Sequence, residues 1–296
     1  MARASFGALV IVVALFTACV PEYESGSLYS WGRDHHDQVS ATPEGTFTIV
    51  AAGDSHSVAI GTDGNLYSWG DQKFDQRLGA PSGTFTAAAA GGTYSVVLDE
   101  EGRLHAWGLA GSDKDGLLSQ LPEGRFRTVA AGIRHGVAID VEGNIHAWGI
   151  DDESKFDHGQ VRNAPDAGDF QSVSAHDGYN VAIDGNGHLH AWGQDIAGVV
   201  STIPEGQFKS VDAGRTHCVA IDSDGRLHQW GADIGDVPEG AFTHVVAGWR
   251  YSIAIDKDGR LHAWGKMDEF GQVSDTPRGR FRAIAAGNMH NVAIAR

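Results

Sequence analysis

The sequence predicts an all-β chain closed into a seven-bladed propeller of four-stranded antiparallel blades. Three observations predict it. The seven residues GRLHAWG stand letter for letter at 102–108 and 259–265, and near copies begin at Gly26, Gly64, Gly143, Gly187 and Gly225. A second signature alternates with the first, as in FTIVAAGDSHSVAI at 47–60 and FRTVAAGIRHGVAI at 126–139. The segments between are short, rich in Val, Ile, Phe, Trp and Ala, and without helical period, so they read as strands. Repeated units of roughly 40 residues built from four such strands are propeller blades.

Taken in order, the chain opens with FGALVIVVALF at 6–16, an uncharged run of 11 residues. It is too short to span a bilayer and matches the apolar region of an export signal. Leu15-Phe16-Thr17-Ala18-Cys19 resembles a bacterial lipobox, in which Cys19 would carry the lipid and become the first mature residue. Residues 1–19 are therefore expected to be the signal segment and 20–25 a tether. The chain is expected to be exported and membrane-anchored, with plain secretion as the alternative.

Residues 26–296 carry the repeats. The WG tryptophans are Trp31, Trp69, Trp107, Trp148, Trp192, Trp230 and Trp264, at spacings of 38, 38, 41, 44, 38 and 34. Each repeat is expected to hold an inner strand (F-x-x-V-A-A), a second (V-A-I-D), a third (L-H-A-W) and a fourth after the WG loop. A P-x-G turn precedes each inner strand, and D-G turns such as SDG at 223–225 join the second and third. The first repeat begins with a third strand and the last ends with a second. Pairing 26–40 with 281–296 should complete the seventh blade and remove the open edges.

Composition narrows the function. The net charge is −16, which excludes binding nucleic acid through its phosphates and leaves a basic protein partner open. The 40 glycines fit a chain of tight turns, and the two cysteines, Cys19 and Cys218, form no disulfide framework.

The alternation of A-G-x-x-H-x-x-A-[IL] with W-G resembles the regulator of chromosome condensation repeat family, over residues 26–296. The resemblance implies a seven-bladed propeller. Tyr94, Tyr179 and Tyr251 stand where the family has His, and Ala175-His176 where it has Ala-Gly. In repeat length the chain is more similar to secreted bacterial members, which include a β-lactamase inhibitory propeller. That likeness implies a partner-binding face made of the A-G-x-x-H loops and the loops after WG.

Alternate loops of an up-and-down blade share a rim, so those two loop sets belong together, and they are the variable ones. Trp249 lies outside the seven-fold pattern, beside Arg250. The expected contact set is Trp249, Arg250, Arg134, Arg215, Phe74, Phe270, Asn288 and Met289, with Phe156 a third loop phenylalanine. The repeated histidines His56, His105, His135, His146, His190, His217, His228, His262 and His290 read as structural, with no acidic partner expected at fixed spacing. His188 with His190, and His35 with His36, lack further ligands at recognisable spacing. The D-x-D-G runs at 222–225 and 256–259 are hairpin turns rather than calcium loops. Cys218 is expected to be an inert buried thiol.

No catalytic residues, metal or cofactor are expected. The leading expectation is an exported, monomeric protein–protein interaction module of the cell envelope, touching the membrane only through its lipid. An enzyme, or an inhibitor of a secreted enzyme, on the same face is the alternative. Nucleotide exchange ranks last, because the signal places the chain in the wrong compartment.

Overall fold

The computed structural model describes residues 26–77, 79–166, 168–232 and 234–296. The signal segment at 1–19 with Cys19, and the tether at 20–25, lie outside the described residues. The described chain forms seven antiparallel sheets arranged as blades. The inner strands are Phe47–Ala52, Phe85–Ala90, Phe126–Ala131, Phe170–His176, Phe208–Ala213, Phe242–Ala247 and Phe281–Ala286. The middle strands are His56–Gly61, Tyr94–Asp99, His135–Asp140, Tyr179–Asp184, His217–Asp222, Tyr251–Asp256 and His290–Ala295. The outer strands of the first six blades are Leu66–Gly70, Leu104–Gly108, Ile145–Gly149, Leu189–Gly193, Leu227–Gly231 and Leu261–Gly265. The seventh takes its outer strand from the other end of the chain: Leu28–Gly32 pairs with His290–Ala295, placing Trp31 opposite Asn291. Closure through the two ends is as expected.

Among the described residues each blade pairs three strands, one fewer than the four expected. After each WG the described chain runs as turns, with a short 3-10 helix at Leu109–Gly111 and another at Ile196–Gly198. The reason lies in its side chains. Asp34 Oδ1 accepts the N–H groups of Val39 and Ser40 at 2.8 and 3.0 Å, and Asp268 Oδ1 does the same for Val273 and Ser274. Asp113 and Asp195 repeat the arrangement. Gln38, Gln76, Gln160 and Gln272 each accept the N–H two residues before them, at 2.6–2.8 Å. N–H groups held by local side chains are not available to a fourth ladder.

These loops serve the neighbouring blade. Six indole Nε1–H groups donate to a carbonyl in the preceding blade's loop: Trp31 to Gln272, Trp69 to Gln38, Trp107 to Gln76, Trp148 to Leu117, Trp192 to Gln160 and Trp230 to Val199, at 2.7–3.2 Å. Trp264 instead donates to Gln229 Oε1 at 2.8 Å. Gln229 stands where the other outer strands have Ala or Ser, and supplies the acceptor itself. The apolar cores lie between blades. One joins Ile49, Val58 and Ile60 of the first blade to Phe85, Val97 and Trp107 of the second, and another joins Trp69 to Val292 and Ile294 of the seventh.

A second belt is built from the A-G-x-x-H position. His56 Nε2 bonds Ser95 Oγ, His135 Nε2 bonds Asn180 Oδ1, His217 Nε2 bonds Ser252 Oγ and His290 Nε2 bonds Ser57 Oγ, at 2.7–2.9 Å. Between them, the hydroxyls of Tyr94, Tyr179 and Tyr251 donate to the carbonyls of His135, His217 and His290 at 2.6–3.2 Å. The tyrosines thus do the histidines' work, each reaching into the next blade. A glycine three residues before six of the seven makes room: a Cβ on Gly53 would sit 2.3 Å from the Gly91 carbonyl and 2.8 Å from His56 Cε1. In the fourth blade His176 replaces that glycine, and the inner strand runs one residue longer.

The outer-strand histidines do have an acidic partner at fixed spacing, contrary to the expectation from sequence. Asp99, Asp140, Asp184, Asp222 and Asp256 meet His105, His146, His190, His228 and His262, six residues on, at 2.7–2.9 Å. The other carboxylate oxygen closes the D-x-x-G turn, as when Asp222 Oδ1 accepts from Asp224 N and Arg226 N. Each imidazole packs edge-on against the first Phe of its inner strand, with centroids 5.2–6.0 Å apart. Partial burial works against ionisation of Asp99 and Asp140. The bonds from His105 and Arg103, and from His146 and Asn144, outweigh it and hold both carboxyls down at about 2. These pairs are turn locks, and their role remains structural.

Candidate interaction rim

The two loop sets meet on one rim, tied by the same backbone bond in every blade. The first N–H after WG donates to the carbonyl just before the belt residue: Asp71 to Ser55, Leu109 to Thr93, Ile150 to Arg134, Gln194 to Gly178, Ala232 to Thr216, Lys266 to Arg250 and Arg33 to Met289, at 2.8–3.2 Å. The glycine of WG is needed for this approach; Gly70 has φ 97°, and a Cβ there would stand 2.7 Å from the Ser55 carbonyl. The opposite end is equally regular. The N–H of each inner-strand Phe meets the glycine carbonyl of the previous hairpin turn, as Phe85 does with Gly64 at 3.2 Å.

On this fixed rim the variable side chains form cation–aromatic clusters. Arg215 lies over the Trp249 ring at 4.5 Å, with its Nε 3.6 Å from Asp177 Oδ2. Trp249 is half-buried, and its N–H donates to the Asn288 carbonyl at 3.2 Å. Arg134 lies over Phe156 at 4.4 Å and pairs with Asp115 at 2.8 Å. Phe156 remains 46% exposed, which makes it an available apolar contact. Arg33 lies 5.6 Å over Phe270, and its Nη1 is 3.6 Å from Met289 Sδ.

Three adjacent blades thus hold Arg215, Trp249, Asn288 and the Phe270–Met289 group. Arg134 stands apart with Phe156. Phe74, half-buried under Lys73 at 5.2 Å, is separate again. Arg250 is exposed in a left-handed conformation, φ 59°. Sequence reasoning missed Arg33 and Asp115, because their roles depend on loops meeting across blades.

The axis opens between these loops as a cavity of about 80 Å³, lined by the ends of the inner strands. Its polar lining is Asp54, Ser174, His176, Asp177, Asp212 and Asn288. Asp212 links three blades: Oδ1 accepts from Ser174 Oγ at 2.7 Å and Oδ2 from Ala247 N at 2.8 Å. Burial pushes Asp212 up to about 6 against those bonds. Burial also raises Asp54 to about 6, with Arg215 pulling it down and Asp177 adding to the rise.

Other candidates resolve locally. His188 and His190 both face Asp184 Oδ2, at 3.7 and 2.9 Å. His35 accepts from Arg33 Nε at 2.7 Å and packs edge-on to Phe270. Cys218 is fully buried, 3.3 Å from the Tyr179 hydroxyl, and burial pushes its thiol well up, away from reactivity.

Seven blades closed by their own ends, with repeated His/Tyr and Trp belts, define a seven-bladed β-propeller. Residues 47–76 and 242–272 match the family described as the regulator of chromosome condensation (RCC1) repeat. The chain carries RCC1 repeats on the fold of the RCC1-like seven-bladed propellers. It is similar to yeast RCC1 (Prp20) in a structure with Kap60, at 13% identity and a TM-score of 0.73, covering 100% of this chain and 95% of that one. Human WBSCR16 aligns at 13% identity and a TM-score of 0.71, covering 92% and 99%. The ectodomain of the Arabidopsis thaliana receptor kinase ACR4 aligns at 22% identity and a TM-score of 0.66, covering 81% and 87%. At these identities the likeness speaks for the fold. No curated protein sequence matches the chain.

Proposed function

We propose that the protein is an exported interaction module, held at a bacterial cell envelope by a lipid on Cys19, that binds a partner protein through the rim bearing Trp249. The RCC1-like propeller is a protein-interaction scaffold, and the structure of Prp20p is described together with its binding to Gsp1p and histones. Those partners are that protein's own. The observation that carries the reading here is the Arg215–Trp249 stack, half-exposed on a rim whose backbone is otherwise repeated seven times. Aromatic and arginine side chains on a rigid support are what anchor protein interfaces. The net charge of −16 favours a partner with a basic surface.

The test compares Trp249→Ala with Asp224→Ala, which alters an exposed turn at the other end, each variant first shown to melt like the parent. Binding to a partner captured from envelope extracts should weaken about tenfold or more for the first, as loss of an anchor worth roughly 2 kcal/mol would do, and barely for the second. Equal effects would remove the rim from the reading. Cys19→Ala should separately release the protein from membranes or leave it unprocessed. Unchanged membrane association would overturn the lipid anchor.

A further inference from the structure

We propose that the turn end of the seventh blade docks on an anionic phospholipid surface, a second membrane contact beside the lipid at Cys19. The inference deepens the envelope reading above and rests on it for the direction of approach. The first observation is a local reversal of charge. At the middle of the P-x-G turn the other blades carry Glu44, Ser82, Glu123, Asp166, Glu205 and Glu239. The seventh reads PRGRFR at 277–282 and places Arg278 there, in a chain of net charge −16.

The third blade also spells GRFR, but its arginines are engaged: Arg125 Nε donates to the Glu101 carbonyl at 3.0 Å and Arg127 Nη2 to that of Phe170. In the seventh blade Arg282 likewise meets the Phe47 carbonyl. Arg278 and Arg280 are exposed, and their side chains have no hydrogen bond or ion pair among the described residues. Arg296 N donates to the Arg280 carbonyl at 2.8 Å, which sets a third exposed arginine beside them. The hairpin turn of the sixth blade packs alongside, since a Cβ on Gly259 would lie 3.5 Å from Arg280 Cβ. That turn adds exposed Lys257, while its acids are committed, Asp256 to His262 at 2.7 Å and Asp258 to Arg260 at 3.5 Å. Asp275 is the one acid within three residues of Arg278.

The second observation is where the chain enters the fold. The Gly26 carbonyl accepts the Phe47 N–H at 3.2 Å, as the Gly64 carbonyl accepts that of Phe85, and Ala295 N donates to the Ser27 carbonyl at 3.0 Å. Gly26 therefore stands at the hairpin-turn position of the seventh blade, at the same end as Arg280 and Arg296 and opposite the rim. Residues 20–25 separate it from Cys19, a reach of at most about 25 Å. A lipid on Cys19 thus brings this basic end to the bilayer. Anionic headgroups attract it over a Debye length of roughly 10 Å and repel the acidic turns of the other blades. The two contacts together leave the Trp249 rim facing away from the membrane, open to its partner.

The extracted full chain would be floated with vesicles of phosphatidylcholine alone and of phosphatidylcholine with phosphatidylglycerol at one part in three. Binding to the neutral vesicles, and its loss in Cys19→Ala, reads the lipid anchor. The excess of binding to the anionic vesicles reads the patch, so the two readings fail separately. A clear excess is expected, shrinking as salt is raised. Each arginine near such a surface is worth about fivefold, so Arg278→Gln with Arg280→Gln should lower the excess roughly tenfold or more. Arg278→Lys with Arg280→Lys should preserve it. Lys209→Gln with Arg226→Gln, which removes the same charge from the fifth blade's turn end, should barely change it. No excess for the parent, an equal fall in the fifth-blade variant, or an equal fall in the lysine variant would each overturn the proposal.

Discussion

The four belt histidines make the fold acid-labile in a window that can be worked out. His56, His135, His217 and His290 are fully buried, each with Nε2 bonded and Nδ1 without a partner. A protonated ring would carry a second N–H with nothing to receive it. Burial accordingly lowers His56 and His135 to about 4, and His217 and His290 to about 3. Between those values and 6.5 the unfolded chain holds protons that the folded chain refuses, so stability is full above pH 6.5 and falls as pH drops.

Each ring costs about 3 kcal/mol by pH 4. Asp54 and Asp212, raised to about 6, act in the opposite sense. They bind protons in the folded state first and return roughly 3 kcal/mol each between pH 6 and 3.8. Near pH 5 these six groups differ by about two protons, a slope of roughly 3 kcal/mol per pH unit, and His176 and His244, which burial also lowers to about 4, steepen it. The loss from the six groups alone by pH 4, on the order of 7 kcal/mol, is comparable to the whole stability of a typical domain. Urea unfolding from pH 7.5 to 4.5 measures that slope, and His217→Gln, which keeps an N–H donor, should lower it by about one proton. A flat profile over this range, or a folded-state titration of these imidazoles above pH 6, would refute the argument.

Two further outcomes follow from the packing. Trp69→Phe keeps most of the buried ring but orphans the Gln38 carbonyl that Nε1 meets at 2.9 Å, so urea unfolding should show a loss of roughly 1–3 kcal/mol; no loss would mean the indole bond contributes only shape. Deleting 281–296 removes the inner and middle strands of the closing blade and leaves Leu28–Gly32 without its partner. Soluble, cooperatively melting protein should be lost, and an unchanged melt would contradict closure through the chain ends.

The number of blades, their inner, middle and outer strands, and the closing pair were legible because each is written seven times. The missing fourth strand was not. What decides it is where Asp34 or Gln38 points within a loop, and loop lengths vary from blade to blade. The Asp–His locks were written plainly, as D-x-x-G-x-x-H at 99–105, 140–146, 184–190, 222–228 and 256–262. Only the fold explains why that spacing recurs, because the turn brings the ends of two paired strands together. For the rim, Trp249 stood out as the one tryptophan outside the repeat. Its partner Arg215 lies a full blade earlier, and no local spacing connects them. The polar axis was visible in part, since Ala175-His176 broke the repeat. Ser174 and Asp212 gained meaning only once the inner strands were seen to share an axis.

The alternation of His and Tyr around the belt has a consequence tied to the odd number of blades. In order the positions read His56, Tyr94, His135, Tyr179, His217, Tyr251, His290, so one junction must bring two histidines together, and it is His290 with His56. Tyrosine steps donate to carbonyls from hydroxyls whose pKa burial raises, and acid leaves them intact. Histidine steps are lost on protonation. Every blade but one is held to a neighbour by at least one tyrosine step. The first blade is held on one side by His290 to Ser57 and on the other by His56 to Ser95. That blade also adjoins the seventh, where the chain's two ends are joined through the Leu28–Gly32 ladder. The most acid-sensitive junction of the belt therefore coincides with the one blade whose strands are not continuous in sequence, and opening of the ring on acidification should start there.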